Sequence, residues 1–184
     1  MKNVTELWET VARRADAEGL VDVAWMPHDS PIGTLVLAAT EEGLVMISYR
    51  DADAALDELA AKVSPRVLTL PSRLDGARRQ LDAYFAGTLR SFDLTLDWRL
   101  MTPFQQLVLH AVREVPFGEV ATYQQVARAI GRPTASRAAG GANARNPLPI
   151  VVPCHRVVGS DGSLTGYAGG VERKAFLLAM EGAR

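Results

Sequence analysis

The chain is poor in several things at once. Its 184 residues include one cysteine, three histidines and 7% aromatics. A single cysteine excludes an internal disulfide and a cysteine-rich zinc site. It suits a reducing cytoplasm, where a lone thiol stays free. No apolar run approaches the roughly 20 residues of a membrane span, so no membrane partner is expected. The N-terminal stretch "MKNVTELWETVARRADAEGL" is amphipathic and of mixed charge, without the apolar centre of a secretory signal, and export is not expected. Internal repeats and low-complexity segments are absent. Acidic residues are missing over one long interval: none lies between Glu119 and Asp161, where Arg128, Arg132, Arg137, Arg145 and Arg156 all fall. The net charge of −1 conceals this asymmetry, because residues 1–100 carry 11 basic and 16 acidic residues and residues 101–184 carry 9 and 5. A local basic surface on a near-neutral protein is a workable footprint for a polyanion. The plain alternative is a solvated face dotted with arginines.

What is present fits a soluble globular chain, with 48% hydrophobic and 22% charged residues, long enough for one good core or two small domains. The first 20 residues read as a helix with Leu7, Val11 and Trp8 on one side. "VDVAWM" (21–26), "TLVLAAT" (34–40) and "LVMISYR" (44–50) are short β-branched runs separated by turn signals, the pattern of an antiparallel meander. Helices are expected over 51–63 and 72–87, the second turning Leu74, Leu81, Tyr84 and Phe85 inward and stopping at Gly87. In "SFDLTLDW" (91–98) apolar and polar residues alternate, which predicts a half-buried strand. A boundary near Arg99–Met101 then divides the chain into an extension (1–20), an N-terminal α/β domain (21–99) and a C-terminal domain (100–184).

The C-terminal part reads as helical. Thr102 with Gln105, and Thr122 with Gln125, form capping boxes, the first with Pro103 at the opening helical position. A short helix from Thr122 to Gly131, a "GRP" turn and a third helix from Ala135 to Ala144 make a helix-turn-helix signature. That third helix, "ASRAAGGANA", is almost all alanine and glycine, and each interior glycine costs roughly 1 kcal/mol. Either tight helix packing or close approach to a nucleic-acid groove, with Arg137 and Arg145 projecting, would explain it.

Cys154 sits in "IVVPCHRVVG" (150–159), at the end of an expected strand. A free cysteine is often an inert buried residue. His155 and Arg156, however, follow at once, and a chain leaving a core has no structural need for that pair. A thiol near its ordinary pKa is mostly unionised at neutral pH, and a base or a positive field must activate it. His155 is the candidate base, through a bridging water or a sharp turn, because neighbours on a strand point apart. A carboxylate should orient the imidazole. Glu172 and Glu181 both qualify, and spacing does not choose between them.

"NPLPIVVPCHRVVGSDGSLTGYAGGVERKAFLLAMEG" (146–182), together with "VPFGEVATYQQVARAIGRPTASRAAGGANARN" upstream and "DSPIGTLVLAATEEGLVMISYR" near the N-terminus, resembles the O6-alkylguanine-DNA alkyltransferases. The resemblance implies an α/β (α+β) chain, with an RNase H-like N-terminal domain and a winged-helix-like C-terminal domain. It implies transfer of an alkyl group from guanine O6 in double-stranded DNA to Cys154, once per molecule, without cofactor or metal and by a monomer. By the same resemblance His155 draws the thiol proton through water, Glu181 orients His155, and Asn146 is a hinge. Tyr123 helps extrude the nucleotide. The carbonyls of Cys154 and Val157 receive the guanine amino group, Tyr167 and Ala168 close the pocket, and Lys174 is a charged neighbour. Arg137 fills the gap in the base stack, and Arg128, Ala138, Asn143 and Arg145 complete a minor-groove surface. Thr165, β-branched beside the pocket, is expected to disfavour bulky benzyl adducts relative to methyl. The rival readings are a lesion binder without chemistry, a helix-turn-helix regulator and a cysteine hydrolase.

Overall fold

The computed structural model of the protein describes residues 4–164 and 166–183, with side chains from Leu7 onward. Thr165, and with it the expectation about bulky adducts, lies outside the described residues. The chain divides into two units, Met1–Ala83 with Asp93–Leu100, and Tyr84–Phe92 with Met101–Arg184. It therefore passes between units after Ala83, after Phe92 and after Leu100, where the sequence suggests a single crossing near Arg99–Met101.

In the first unit the expected meander forms. β1 (Val23–His28), β2 (Leu35–Thr40) and β3 (Gly43–Ser48) pair antiparallel in that order. β4 (Val67–Thr69) adds to β1 in parallel, giving the order β3-β2-β1-β4. Three residues set between Pro65 and Pro71 offer no alternation to read, so β4 is not legible in the sequence. Every residue of β2 is buried because both sheet faces are covered. Val23, Val36, Ala38, Val45 and Met46 pack on Ala55 and Leu59 of α2 (Ala52–Lys62). Asp51 caps that helix, accepting from the Ala54 amide at 2.9 Å. The second expected helix is α3 (Asp75–Phe85).

α1 (Val4–Ala17) is the expected N-terminal helix. It packs through Ala12, with Ala15, against Val21, Ala24 and Leu70, while Leu7, Trp8 and Val11 stand 51%, 67% and 56% exposed. The apolar face is continuous along the helix, but only its C-terminal half reaches the sheet, where Arg73 ties Asp16 and the Val21 carbonyl. "SFDLTLDW" is a correction: it runs extended but meets β3 at a single bridge, Leu44 to Leu96. Leu44 N donates to Thr95 O (3.0 Å) and Asp97 N to Leu44 O (2.9 Å). A side chain at Gly43 would collide with the Thr95 carbonyl, so glycine permits this approach. The alternation then breaks at Asp97, which is buried to accept from Thr40 Oγ1 at 2.5 Å.

In the second unit both capping boxes form, opening α4 (Pro103–Arg113) and α5 (Tyr123–Ala129). α6 (Ser136–Ala144) follows the turn at Gly131, completing the helix-turn-helix. Val108, Leu109, Val112, Val126, Ala127, Ala139 and Ala142 are buried among these helices, and each valine or leucine contributes roughly 1.5–3 kcal/mol by leaving water. β5 (Ala121–Thr122) pairs in parallel with β6 (Val157–Val158), and α7 (Val171–Met180) turns Lys174, Leu177 and Leu178 inward. No helix among the described residues is long and apolar enough to cross a membrane.

Candidate active site and nucleic-acid interface

The segment leading to Cys154 is not the strand expected from "PIVV". Pro149 and Pro153 have no amide to offer a ladder. The chain instead winds through successive turns, with Val151 N on Pro149 O (2.9 Å), Val152 N on Leu148 O (2.9 Å) and Cys154 N on Val152 O (2.7 Å). Ile150, fully buried, takes φ 74°. A β-branched residue there is strained and persists only where its surroundings over-determine it. Asn146 supplies part of that constraint: its Oδ1 accepts from Leu148 N (2.9 Å) and its Nδ2 donates to Val152 O (2.8 Å). Cys154–Arg156 then form one 3₁₀ turn, the sharper of the two geometries open to a Cys-His pair.

Cys154 is 4% exposed. Burial pushes its thiol up to about 11, against the lowering effect of Asn146, of the Lys174 charge and of the Cys154 and His155 amides. Among these protein groups alone, the sulfur stays protonated. His155 is fully buried, and its Nε2 lies 2.8 Å from Glu181 Oε1. Burial lowers the His155 pKa, with Glu181 opposing. An ionised carboxylate only accepts, so Nε2 carries the hydrogen. Nδ1 is left as a buried acceptor with no protein partner among the described residues. Of the two candidate carboxylates it is Glu181 that meets His155, while Glu172 sits exposed in the first turn of α7. Although burial favours its neutral form, the bonds from His155, Arg156 and Tyr84 bring the Glu181 carboxyl down to about 2.

Two of these partners are not anticipated by sequence. Arg156, grouped above with the surface arginines, is 6% exposed. It donates through Nε to Glu181 Oε2 (2.8 Å), through Nη2 to Oε1 (3.0 Å) and through Nη1 to Val115 O (2.6 Å). The only sequence signal for this role is its place directly after His155. Tyr84, fully buried, donates its phenol to Glu181 Oε1 at 2.6 Å. Nothing local could reveal a pairing across 97 positions. A cleft of about 270 Å³ opens on the Arg156 side, lined in part by Arg90, Phe92, Phe117 and Pro153, and Cys154 is not among its walls.

Tyr123, at the start of α5, is half-buried. Its hydroxyl adjoins Gly166, and burial, then the proximity of Cys154, raise its pKa. Lys174 is fully buried with Nζ on Val157 O at 2.6 Å. The Cys154 carbonyl accepts from Asn143 Nδ2 at 3.1 Å. The Cys154 carbonyl, expected to receive a base, thus already holds two donors, Asn143 Nδ2 and the Val157 amide, and the Val157 carbonyl holds Lys174 Nζ. Tyr167 is half-buried and Ala168 exposed in the loop before α7. Asn143 is a correction: at 2% exposure it braces the cysteine turn from within and does not face a ligand outside. The outer stripe of α6 is Arg137, Ala138, Gly141 and Arg145, the spacing of one helix face, and Arg128 is exposed on α5. A methyl group at Gly141 would meet only the Arg145 guanidinium, at an ordinary 3.5 Å. Packing inside the protein therefore gives no reason for glycine at that position. Among the described residues no group of three His, Cys, Asp or Glu side chains could hold a metal ion.

Residues 23–98 match the family model described as the 6-O-methylguanine DNA methyltransferase ribonuclease-like domain, and residues 103–183 match that of the same family's DNA binding domain. The chain belongs to the 6-O-methylguanine DNA methyltransferase family. A methylated-DNA–protein-cysteine methyltransferase of Methanosarcina acetivorans is 46% identical over 154 residues, covering 84% of this chain and 95% of that protein. One of Mycobacterium tuberculosis is 46% identical over 156 residues, covering 85% and 90%. Among solved structures, the Mycobacterium tuberculosis O6-methylguanine methyltransferase superposes with a TM-score of 0.76 at 42% identity, covering 88% of this chain and 94% of that one. The Mycobacterium tuberculosis OGT in complex with DNA gives 0.75 at 41%, covering 88% and 92%. The 6-O-methylguanine DNA methyltransferase models begin at Val23, so α1 stands outside both matches.

Proposed function

We propose that this protein repairs double-stranded DNA by moving the alkyl group of an O6-alkylguanine onto Sγ of Cys154. The reading is carried by one arrangement: a single thiol, on a tight turn, followed by an imidazole whose tautomer a buried carboxylate fixes. α6 enters the minor groove. Arg137 takes the place of the extruded nucleotide, and Arg128 and Arg145 hold phosphates, so affinity falls with salt. The extruded base comes to rest between Tyr123 and the loop bearing Tyr167 and Ala168, with Lys174 and the Cys154 and Val157 carbonyls at its floor. The thiol proton passes to Nδ1 of His155 through water. The S–C bond forms as the C–O6 bond breaks, and the electron pair leaves with guanine, which then takes up a proton. A thioether has no leaving group that His155 or Glu181 could activate, so each molecule acts once. One chain holds the whole set, and a monomer suffices. A reducing cytoplasm keeps the acceptor thiol free.

The test is duplex DNA with a labelled O6-methyl group. The expected outcome is a mass gain of one methylene on the Cys154 peptide, stopping at one equivalent. Label remaining on the DNA, or turnover continuing past one equivalent, overturns the reading. The groove contact has its own check. Gly141→Ala is expected to raise stability by about 1 kcal/mol, because an interior helical glycine is replaced, and to weaken duplex binding several-fold. Thermal melting and fluorescence anisotropy read the two effects.

A further inference from the structure

Glu181 is shared unequally. Among the described residues Oε2 accepts one bond, from Arg156 Nε, whereas Oε1 accepts three, from Tyr84 Oη (2.6 Å), His155 Nε2 (2.8 Å) and Arg156 Nη2 (3.0 Å). Tyr84 and His155 therefore draw on the same oxygen. Tyr84 is fully buried beside the Phe92 and Phe117 rings, at centroid distances of 5.3 and 6.3 Å. Rings on two sides restrict the phenol to that position. We propose that Tyr84 is a positioning residue for alkyl transfer, which sets how strongly Glu181 supports a proton on His155. Each donor on Oε1 withdraws negative charge from the point where the His155 N–H meets it, and so weakens the stabilisation of an imidazolium. Among the described residues the other charged or titratable groups about His155 are Cys154 and Arg156 on its own turn and Lys174 from α7, and they are the same in every variant below. This inference rests on His155 acting as the base in the proposed repair reaction.

The full-length protein is tested in single-turnover reactions with methylated duplex across pH. Tyr84→Phe removes the donor and should move the acid limb of the rate profile to higher pH by roughly half a unit to one unit. Placing 3-fluorotyrosine at position 84 alone strengthens the donor and should move the limb the opposite way. Opposed shifts support the role. Unmoved limbs in both variants, with alkyl transfer to Cys154 intact, overturn it and leave the repair reading standing. If Tyr84→Phe does not fold, the fluorotyrosine protein, which keeps the shape of the side chain, decides the matter by the direction of its shift. Failure of the unmodified protein to accept the alkyl group is a separate result, which overturns the repair reading and the inference that rests on it.

Discussion

Cys154→Ser is expected to bind alkylated duplex as the unmodified protein does and to leave the alkyl group on the DNA. The exchange is nearly isosteric, so the turn from Pro153 to Arg156 and the Asn143 bond to the residue-154 carbonyl (3.1 Å) should persist. Nucleophilicity is what disappears. A thiol can be ionised by a neighbouring imidazole, whereas a hydroxyl lies much further from ionisation and is the weaker nucleophile toward a saturated carbon. No second cysteine exists to rescue the reaction. The loss should therefore be complete at any ratio of protein to DNA, read by mass spectrometry, while anisotropy reads the unchanged binding. The buried thiol of the parent protein, pushed up to about 11, adds a corollary. Iodoacetamide should label Cys154 slowly at neutral pH and faster as the pH rises. Fast labelling at pH 7 would contradict a protonated resting sulfur.

Glu181→Gln is expected to be the most damaging single change outside the nucleophile. It leaves Arg156 buried without its anion, and breaking a buried ion pair on one side costs about 3–5 kcal/mol. The amide also presents a donor and an acceptor, so His155 loses the group that fixes its tautomer. In catalytic triads, loss of that control slows the reaction by about 10⁴, and loss of general-base assistance alone costs about 10²–10⁴. Alkyl transfer measured on the folded fraction should fall within that range. The pH dependence has a definite sign. The carboxyl is ionised down to about 2 in the folded protein against its ordinary 4.5. Its stabilising contribution is thus complete above about 4.5 and lost as the pH falls toward about 2. Urea unfolding should show the widest gap between parent and variant at neutral pH, narrowing through that window. A gap independent of pH would mean that Glu181 is not held as an anion.

Local chemistry was the legible part of this chain. The capping boxes at Thr102 and Thr122 need only four residues each, and both formed where the sequence places them. The three-stranded meander follows from β-branched runs separated by turns. The choice between Glu172 and Glu181 was closed to spacing, because it depends on where the end of α7 meets the cysteine turn. Arg156 looked like surface because arginines are mostly exposed. Its burial becomes favourable only once an anion and a carbonyl are there to meet it. "PIVV" read as a strand because its residues favour one, but two prolines and the Asn146 bonds impose turns on it. Periodicity places Leu7, Trp8 and Val11 on one side of a helix, but it does not give how far the sheet beneath that side extends.

The chain's route through the second unit bears on how the molecule can be cut. A fragment beginning at Met101 would keep the nucleophile, the imidazole and the carboxylate, and would pass any motif search. It would lack Tyr84 and Phe92, the donor on Glu181 Oε1 and a ring that confines it. Expression boundaries, fusion junctions and protease nicks that respect the motif would still remove this donor from Glu181, because Tyr84 precedes Cys154 by 70 positions.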